Sequence, residues 1–188
     1  MKVLVAYASR HGATAGIAER VAKTLEANGL EVTLERATSA TDPTGYDAYV
    51  IGGAAYMFHW MKETTEFVRR HRALLATRPV WLFSSGPVGT EMVDKQGRDV
   101  LETTIPREFP ELEAAIQPRD ERIFFGAYDP DAPPSSLADR FMKTFMGVMP
   151  AMRDALPSGD FRDWPAIEAW AEGIARELKG RATEVVPA

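Results

Sequence analysis

An α/β fold, with a parallel sheet sandwiched between two layers of helices, is what this sequence predicts, on three observations. Short apolar runs recur along the chain, stretches of helical period separate them, and most connections between the two are short. Val3-Leu4-Val5-Ala6 is too short and too β-branched for a helix and reads as a buried strand. From Ala13 to Ala27 the residues Ile17, Val21 and Leu25 recur every four positions, so the chain turns helical, and Gly29 supplies the stop. Glu31 to Arg36 alternates Val32 and Leu34 with polar residues, as a strand near a sheet edge would. Asp42-Pro43-Thr44-Gly45 is a turn, and Tyr49-Val50-Ile51-Gly52-Gly53 is another buried strand. Phe67, His71, Leu74 and Leu75 form the apolar stripe of a second helix, with Arg69, Arg70 and Arg72 on its solvated face. Pro79 ends that region. Val80-Trp81-Leu82-Phe83 and Ile123-Phe124-Phe125 are the last two strands, and Trp164 to Lys179 closes the chain as a helix. Five strands alternating with helices require right-handed crossovers, which put helices on both faces of the sheet.

Composition narrows the field. The 188 residues suffice for one well-buried domain, expected over 1–180 with an insertion at about 129–163 and a flexible tail at 181–188. Apolar residues make up 45 % and charged residues 26 %, as in ordinary globular chains. No run of about eighteen apolar residues exists to span a bilayer, and Met1-Lys2 leads straight into a strand, which predicts no signal peptide. With no cysteine there is no disulfide, iron–sulfur ligand or thiol nucleophile, and a cytoplasmic location is expected. The three histidines are too scattered for a metal site. A net charge of −5 argues against nucleic acid, and is mild for a small carrier that docks on basic partners.

The first strand breaks into Ser9-Arg10-His11-Gly12-Ala13-Thr14 just where the helix begins. Unpaired backbone N–H groups at the positive end of a helix dipole make an anion cradle, Gly12 admits close approach, and Ser9 and Thr14 add hydroxyls. The lysine-bearing nucleoside-triphosphate loop is absent, and so is the G-x-G-x-x-G that admits a pyrophosphate. A single terminal phosphate, such as that of FMN, suits the loop. An ordinary strand-to-helix turn whose donors are met by water suits it equally.

In a doubly wound sheet, ligands sit at the carboxyl ends of the strands where the order reverses. The loops after strands one, three and four, at 9–14, 54–60 and 84–89, are expected to meet there. Ala54-Ala55-Tyr56-Met57-Phe58-His59-Trp60 puts three aromatics and a methionine where a connector is normally polar. An isoalloxazine needs such a flat apolar wall, although one of these aromatics is expected simply to staple the next helix to the core. His59 is the one candidate proton donor. Ser84-Ser85-Gly86-Pro87-Val88-Gly89 offers small residues and N–H groups for the ring edge.

Ser9-Arg10-His11-Gly12-Ala13-Thr14, followed by Tyr46-Asp47 and Ile51-Gly52, resembles the flavodoxin pattern over the first half of the chain. Gly126-Ala127, Asp139-Arg140-Phe141-Met142 and Asp163-Trp164 resemble the second half of the bacterial flavodoxin-like, menaquinone-dependent protoporphyrinogen IX dehydrogenases. The resemblance implies strand order 2-1-3-4-5, of which flavodoxin is itself the standing example. It also implies non-covalent FMN, removal of hydrogens from a porphyrinogen, and a quinone as acceptor. Carried over residue by residue, Ser9 to Thr14 is the phosphate loop and Tyr56 is the centre of the ring loop Ala54, Ala55, Tyr56, Met57 and Phe58. The second ring loop is Ser85, Gly86, Pro87, Val88 and Gly89. Two departures stand out: His11 replaces the threonine of ordinary flavodoxins, and Tyr56-Met57 lacks the arginine expected in the dehydrogenase's ring loop. The rival readings are an electron-transfer flavodoxin serving a redox-protein partner, and a scaffold that has lost its flavin.

Within 129–163, a helix at 137–149 is expected, with Leu137, Phe141, Phe145, Val148 and Met149 on one stripe and Met142 and Met146 beside it. Such stripes are commonly packing surface or a homodimer interface. The other reading is an access route for a hydrophobic substrate or quinone, or peripheral contact with the inner face of a membrane.

Overall fold

The computed structural model describes residues 1–129 and 157–184, with side chains through Gly180. Its strands are β1 (Lys2–Ala8), β2 (Glu31–Arg36), β3 (Ala48–Tyr56), β4 (His59–Trp60), β5 (Val80–Ser85), β6 (Asp120–Phe124), β7 (Ala127–Tyr128) and β8 (Gly159–Asp160). The helices are α1 (Ala13–Ala27), α2 (Lys62–Leu75), α3 (Val100–Thr103), α4 (Phe109–Ile116) and α5 (Trp164–Glu184). Five strands pair in parallel in the order β2-β1-β3-β5-β6, which is the expected 2-1-3-4-5 once these strands are numbered among themselves. β4 folds back antiparallel on β3, and β7 pairs with β8 in a small separate ribbon.

Alternation along the central strands divides the core. Val3 and Val5 point to the layer of α1 and α5, together with Ile17, Val21, Leu25, Ile167, Ile174 and Leu178. Leu4 and Ala6 point to the layer of α2 and α4, with Phe67, Leu75, Phe109, Leu112 and Ile116. α1 keeps the expected bounds. It ends as Gly29, at φ +81°, donates to the Glu26 carbonyl at 2.8 Å and Leu30 donates to Leu25 at 3.2 Å. That pair of bonds is a Schellman ending, which needs the left-handed residue that glycine supplies. α4 is not among the expected elements, although Phe109, Leu112 and Ile116 carry a helical spacing over its eight residues. α5 continues to Glu184, into the segment expected as a flexible tail. The expected 137–149 helix lies outside the described residues.

One carboxylate sits badly in this frame. Glu121 of β6 is half-buried, its Oε1 has no hydrogen-bond partner among the described residues, and burial, with Glu113 and Asp120 nearby, pushes its pKa from 4.5 to about 7. Below about pH 4.5 the group is protonated in both folded and unfolded chains. Between there and about 7 only the folded chain keeps the proton, so stability falls as pH rises, and above 7 the loss is complete. Full enclosure would make that loss about 3 kcal/mol, and solvent around a half-exposed carboxylate cuts it to about 1–2 kcal/mol. Glu121→Gln is therefore expected to gain about 1–2 kcal/mol over the wild type at pH 8 and nothing at pH 4 in urea unfolding. A gap of the same size at both pH values would exclude the carboxylate as its source.

Candidate functional site

The loops at the carboxyl ends of β1, β3 and β5 converge, as expected, on one cavity of about 390 Å³. Ser9, His11, Ala13 and Thr14 line it from the first loop, Ala54, Ala55, Tyr56 and Met57 from the second, and Ser85, Gly86 and Val88 from the third. Its size is that of a small-molecule site.

The first loop is shaped by Gly12, whose φ of +88° only glycine adopts without strain. Ser9 Oγ accepts the Gly12 N–H at 3.1 Å, and Arg36 Nη2 donates to the Ser9 carbonyl at 2.9 Å. Among the described residues no side chain caps α1, and no acidic residue stands in its first turn. The N-terminal donors of a helix are therefore presented at a cavity wall with no carboxylate of that turn to compete for them. Thr14 and Ser85, both buried, share a hydroxyl–hydroxyl bond of 2.7 Å that ties the first loop to the third.

The second segment differs from the expected loop. It is a hairpin, β3–β4, turned by Met57 and Phe58 at φ +50° and +66°. Two successive left-handed residues make the turn that matches strand twist, usually at Asn-Gly. Bulky residues there cost on the order of 1–3 kcal/mol each. The hairpin also sorts the aromatics. Trp60 turns inward: it is buried, donates its indole N–H to the Gly53 carbonyl at 3.0 Å and meets Phe109 edge-on at 5.1 Å. It is the stapling residue. Tyr56 faces the cavity, where Arg10 lies 4.9 Å from its ring centroid and His11 meets it edge-on at 6.2 Å. Met57 is 87 % exposed and Phe58 48 %.

His59 does not line the cavity. Its Nδ1 pairs with Glu108 Oε1 at 2.8 Å, while Glu108 Oε2 accepts the Trp60 N–H at 2.9 Å. Burial alone would raise the Glu108 pKa, but these donors hold it below the ordinary value. Arg10, Gly12 and Gly89 belong to the converging loops without forming the cavity wall. Phe58 and Pro87 line a smaller neighbouring recess of about 170 Å³, with Thr104 and with Ala55, Met57 and Gly86, the three residues it shares with the main cavity.

The sequence reading missed Gly126, Ala127 and Tyr128, which line the cavity from beyond β6. Gly126 donates to the Pro87 carbonyl at 2.8 Å, which draws this fourth segment to the rim. The signal available was a glycine just past the end of the fifth strand. Among the described residues no three metal-ligating side chains cluster, and no helix is long and apolar enough to cross a membrane.

Residues 4–147 match the model of the flavodoxin domain family. The structure is similar to rubredoxin oxygen:oxidoreductase from Desulfovibrio gigas, with 15 % identity, a TM-score of 0.57, and coverage of 96 % of this chain but only 37 % of that one. It is similar to oxidised flavodoxin 2 from Bacillus cereus, with 21 % identity and a TM-score of 0.50, covering 81 % of this chain and 99 % of the other. A cysteine-to-serine mutant of Pseudomonas aeruginosa flavodoxin gives 18 % identity and a TM-score of 0.50, covering 80 % of this chain and 99 % of the other. At these identities the structural likenesses establish the fold, and the family match spans three-quarters of the chain. The chain belongs to the flavodoxin domain family, flavoproteins whose cofactor is FMN.

Proposed function

We propose that the rim cavity holds FMN and that the protein is an FMN-dependent oxidoreductase of the flavodoxin-like protoporphyrinogen dehydrogenase type. It would pass electrons between a porphyrinogen or similar hydrophobic substrate and a quinone. The residues fit the cofactor on three counts. The uncapped first turn of α1, with Ser9 and Thr14, suits a terminal phosphate. Tyr56, with Ala54 and Ala55, supplies a wall for a flat ring. Gly86, packed against Ala55, brings backbone to the cavity without bulk. Bound there, FMN supplies the electron and hydride transfer. The protein's own part is to hold the phosphate, orient the ring and keep water from it.

The observation that carries the reading beyond a simple carrier is the second recess. It adjoins the main cavity, sharing Ala55, Met57 and Gly86 with it, and Met57 and Phe58, exposed and held at positive φ, give it an apolar rim suited to a hydrophobic ligand. A hydrophobic small molecule entering there would reach the edge of a ring held in the main cavity. Arg10 of the first loop sets its guanidinium 4.9 Å from the centroid of Tyr56, the ring that would wall the flavin. Membership of a flavodoxin family favours a second reading, an electron carrier for a redox protein.

Anaerobic turnover of protoporphyrinogen with a menaquinone analogue tests the first reading directly. Steady porphyrin formation that falls when Phe58 is replaced by serine supports it. No turnover, together with two resolved one-electron steps in reductive titration, supports the carrier. Purified protein that is colourless and takes up no FMN would remove both.

A further inference from the structure

Beyond residues 130–156 the chain comes back to α1 and grips its first turn. Arg162 Nη1 donates to the Ala13 carbonyl at 3.2 Å. The same guanidinium is locked by Asp160, with Nε at 2.7 Å and Nη2 at 2.6 Å from the carboxylate, and the Arg162 backbone N–H adds a bond of 3.2 Å. It lies 4.3 Å from the Trp164 ring centroid, and Arg20 of α1 lies 4.8 Å from the same ring. Only 16 % of the Arg162 side chain is exposed. Gly16 makes the room: a Cβ there would run into Arg162 Nη1 and stand 3.6 Å from Trp164. Next along the chain, Phe161 donates to the Gly126 carbonyl at 3.0 Å, so one short segment is tied both to the first turn of α1 and to the fourth edge of the cavity.

We propose that Arg162 is a positioning residue for the phosphate end of the flavin site. This rests on the FMN reading above. The carbonyl it holds belongs to the peptide joining Ala13 to Thr14, and the opposite end of that rigid plane is the Thr14 N–H, one of the uncapped donors of α1. Fixing the carbonyl fixes the direction of the donor, and drawing charge onto the carbonyl oxygen makes the N–H a stronger donor. Asp160 balances the guanidinium charge, so the effect is one of orientation and polarisation, not of a bare cation.

The test titrates apo-protein with FMN and with riboflavin, which lacks the phosphate, and follows flavin fluorescence. In Arg162→Gln, the FMN Kd is expected to rise about tenfold while that of riboflavin stays within about twofold, the size of one charge-assisted bond. Arg162→Lys is expected to recover part of the loss. Gly16→Ala reaches the same group without removing it: its methyl runs into Arg162 Nη1 and should reproduce the FMN-selective loss, while the helix preference for alanine offsets part of the stability lost with the displaced contacts. In Gly16→Ala, which keeps both Arg162 and Asp160, the FMN loss should not change between low and high salt, as expected for a charge-balanced pair. Equal losses for the two flavins, or no loss in either variant, would overturn the role of Arg162 while leaving the FMN reading intact. A wild type that binds neither flavin would overturn both.

Discussion

Gly12→Val is expected to weaken FMN binding by about a hundredfold or more, roughly 3 kcal/mol, while changing riboflavin binding far less. Space is not the obstacle, since nothing lies within 4 Å of a Cβ built at Gly12. The obstacle is the backbone, at φ +88° and ψ −18°, where a β-branched residue is a severe outlier. The chain can keep that conformation only under strain. Otherwise it swings the peptide to negative φ and re-aims the N–H groups that open α1. Gly97→Val is the matched control: φ is +76°, the space is equally open, and the residue does not line the cavity. Both variants should lose stability by a similar amount, but only the first should lose FMN. A Gly12→Val protein with unchanged FMN affinity would take the phosphate away from this loop.

The largest loss of stability is expected from Phe83→Ala, about 3–5 kcal/mol in urea unfolding. Phe83 is fully buried at the centre of β5, 6.3 Å from Phe124 and 6.0 Å from Trp170, which are themselves 5.6 Å apart. Its register partner across the sheet is Gly52, and the ring lies over that glycine, in the space a Cβ would occupy. Gly52→Ala alone should therefore cost about 1–3 kcal/mol by overpacking. The two changes should not add: with the ring gone, the extra methyl fills part of the hole, and the double variant should be more stable than the sum of the single losses implies. Strict additivity would mean that the ring and the glycine are not in contact.

Much of this frame was legible in one dimension. The strand and helix periods, the bounds of α1 and its Gly29 ending follow from interactions between residues close in sequence, so the local pattern carries them. The order of the parallel strands, and hence the meeting of three distant loops, followed from the resemblance combined with the winding rule for such sheets. The 54–60 segment shows where that legibility stopped. Its composition announced an apolar connector but not a hairpin, because its turn lacks the usual Asn-Gly signal and β4 is only two residues long.

Periodicity, chain order and the resemblance were thus enough for the main sheet and for three of the four segments that form the rim. Which side chains face the cavity was settled only by the folded packing. Trp60 turns inward because Gly53 and Phe109 receive it, and His59 is held by Glu108, forty-nine positions away. The bond from Gly126 to Pro87 draws the segment of Tyr128 to the cavity, and Arg162 reaches Ala13 of α1 across 149 positions. Such directions are set by contacts across the fold, and no local pattern encodes them.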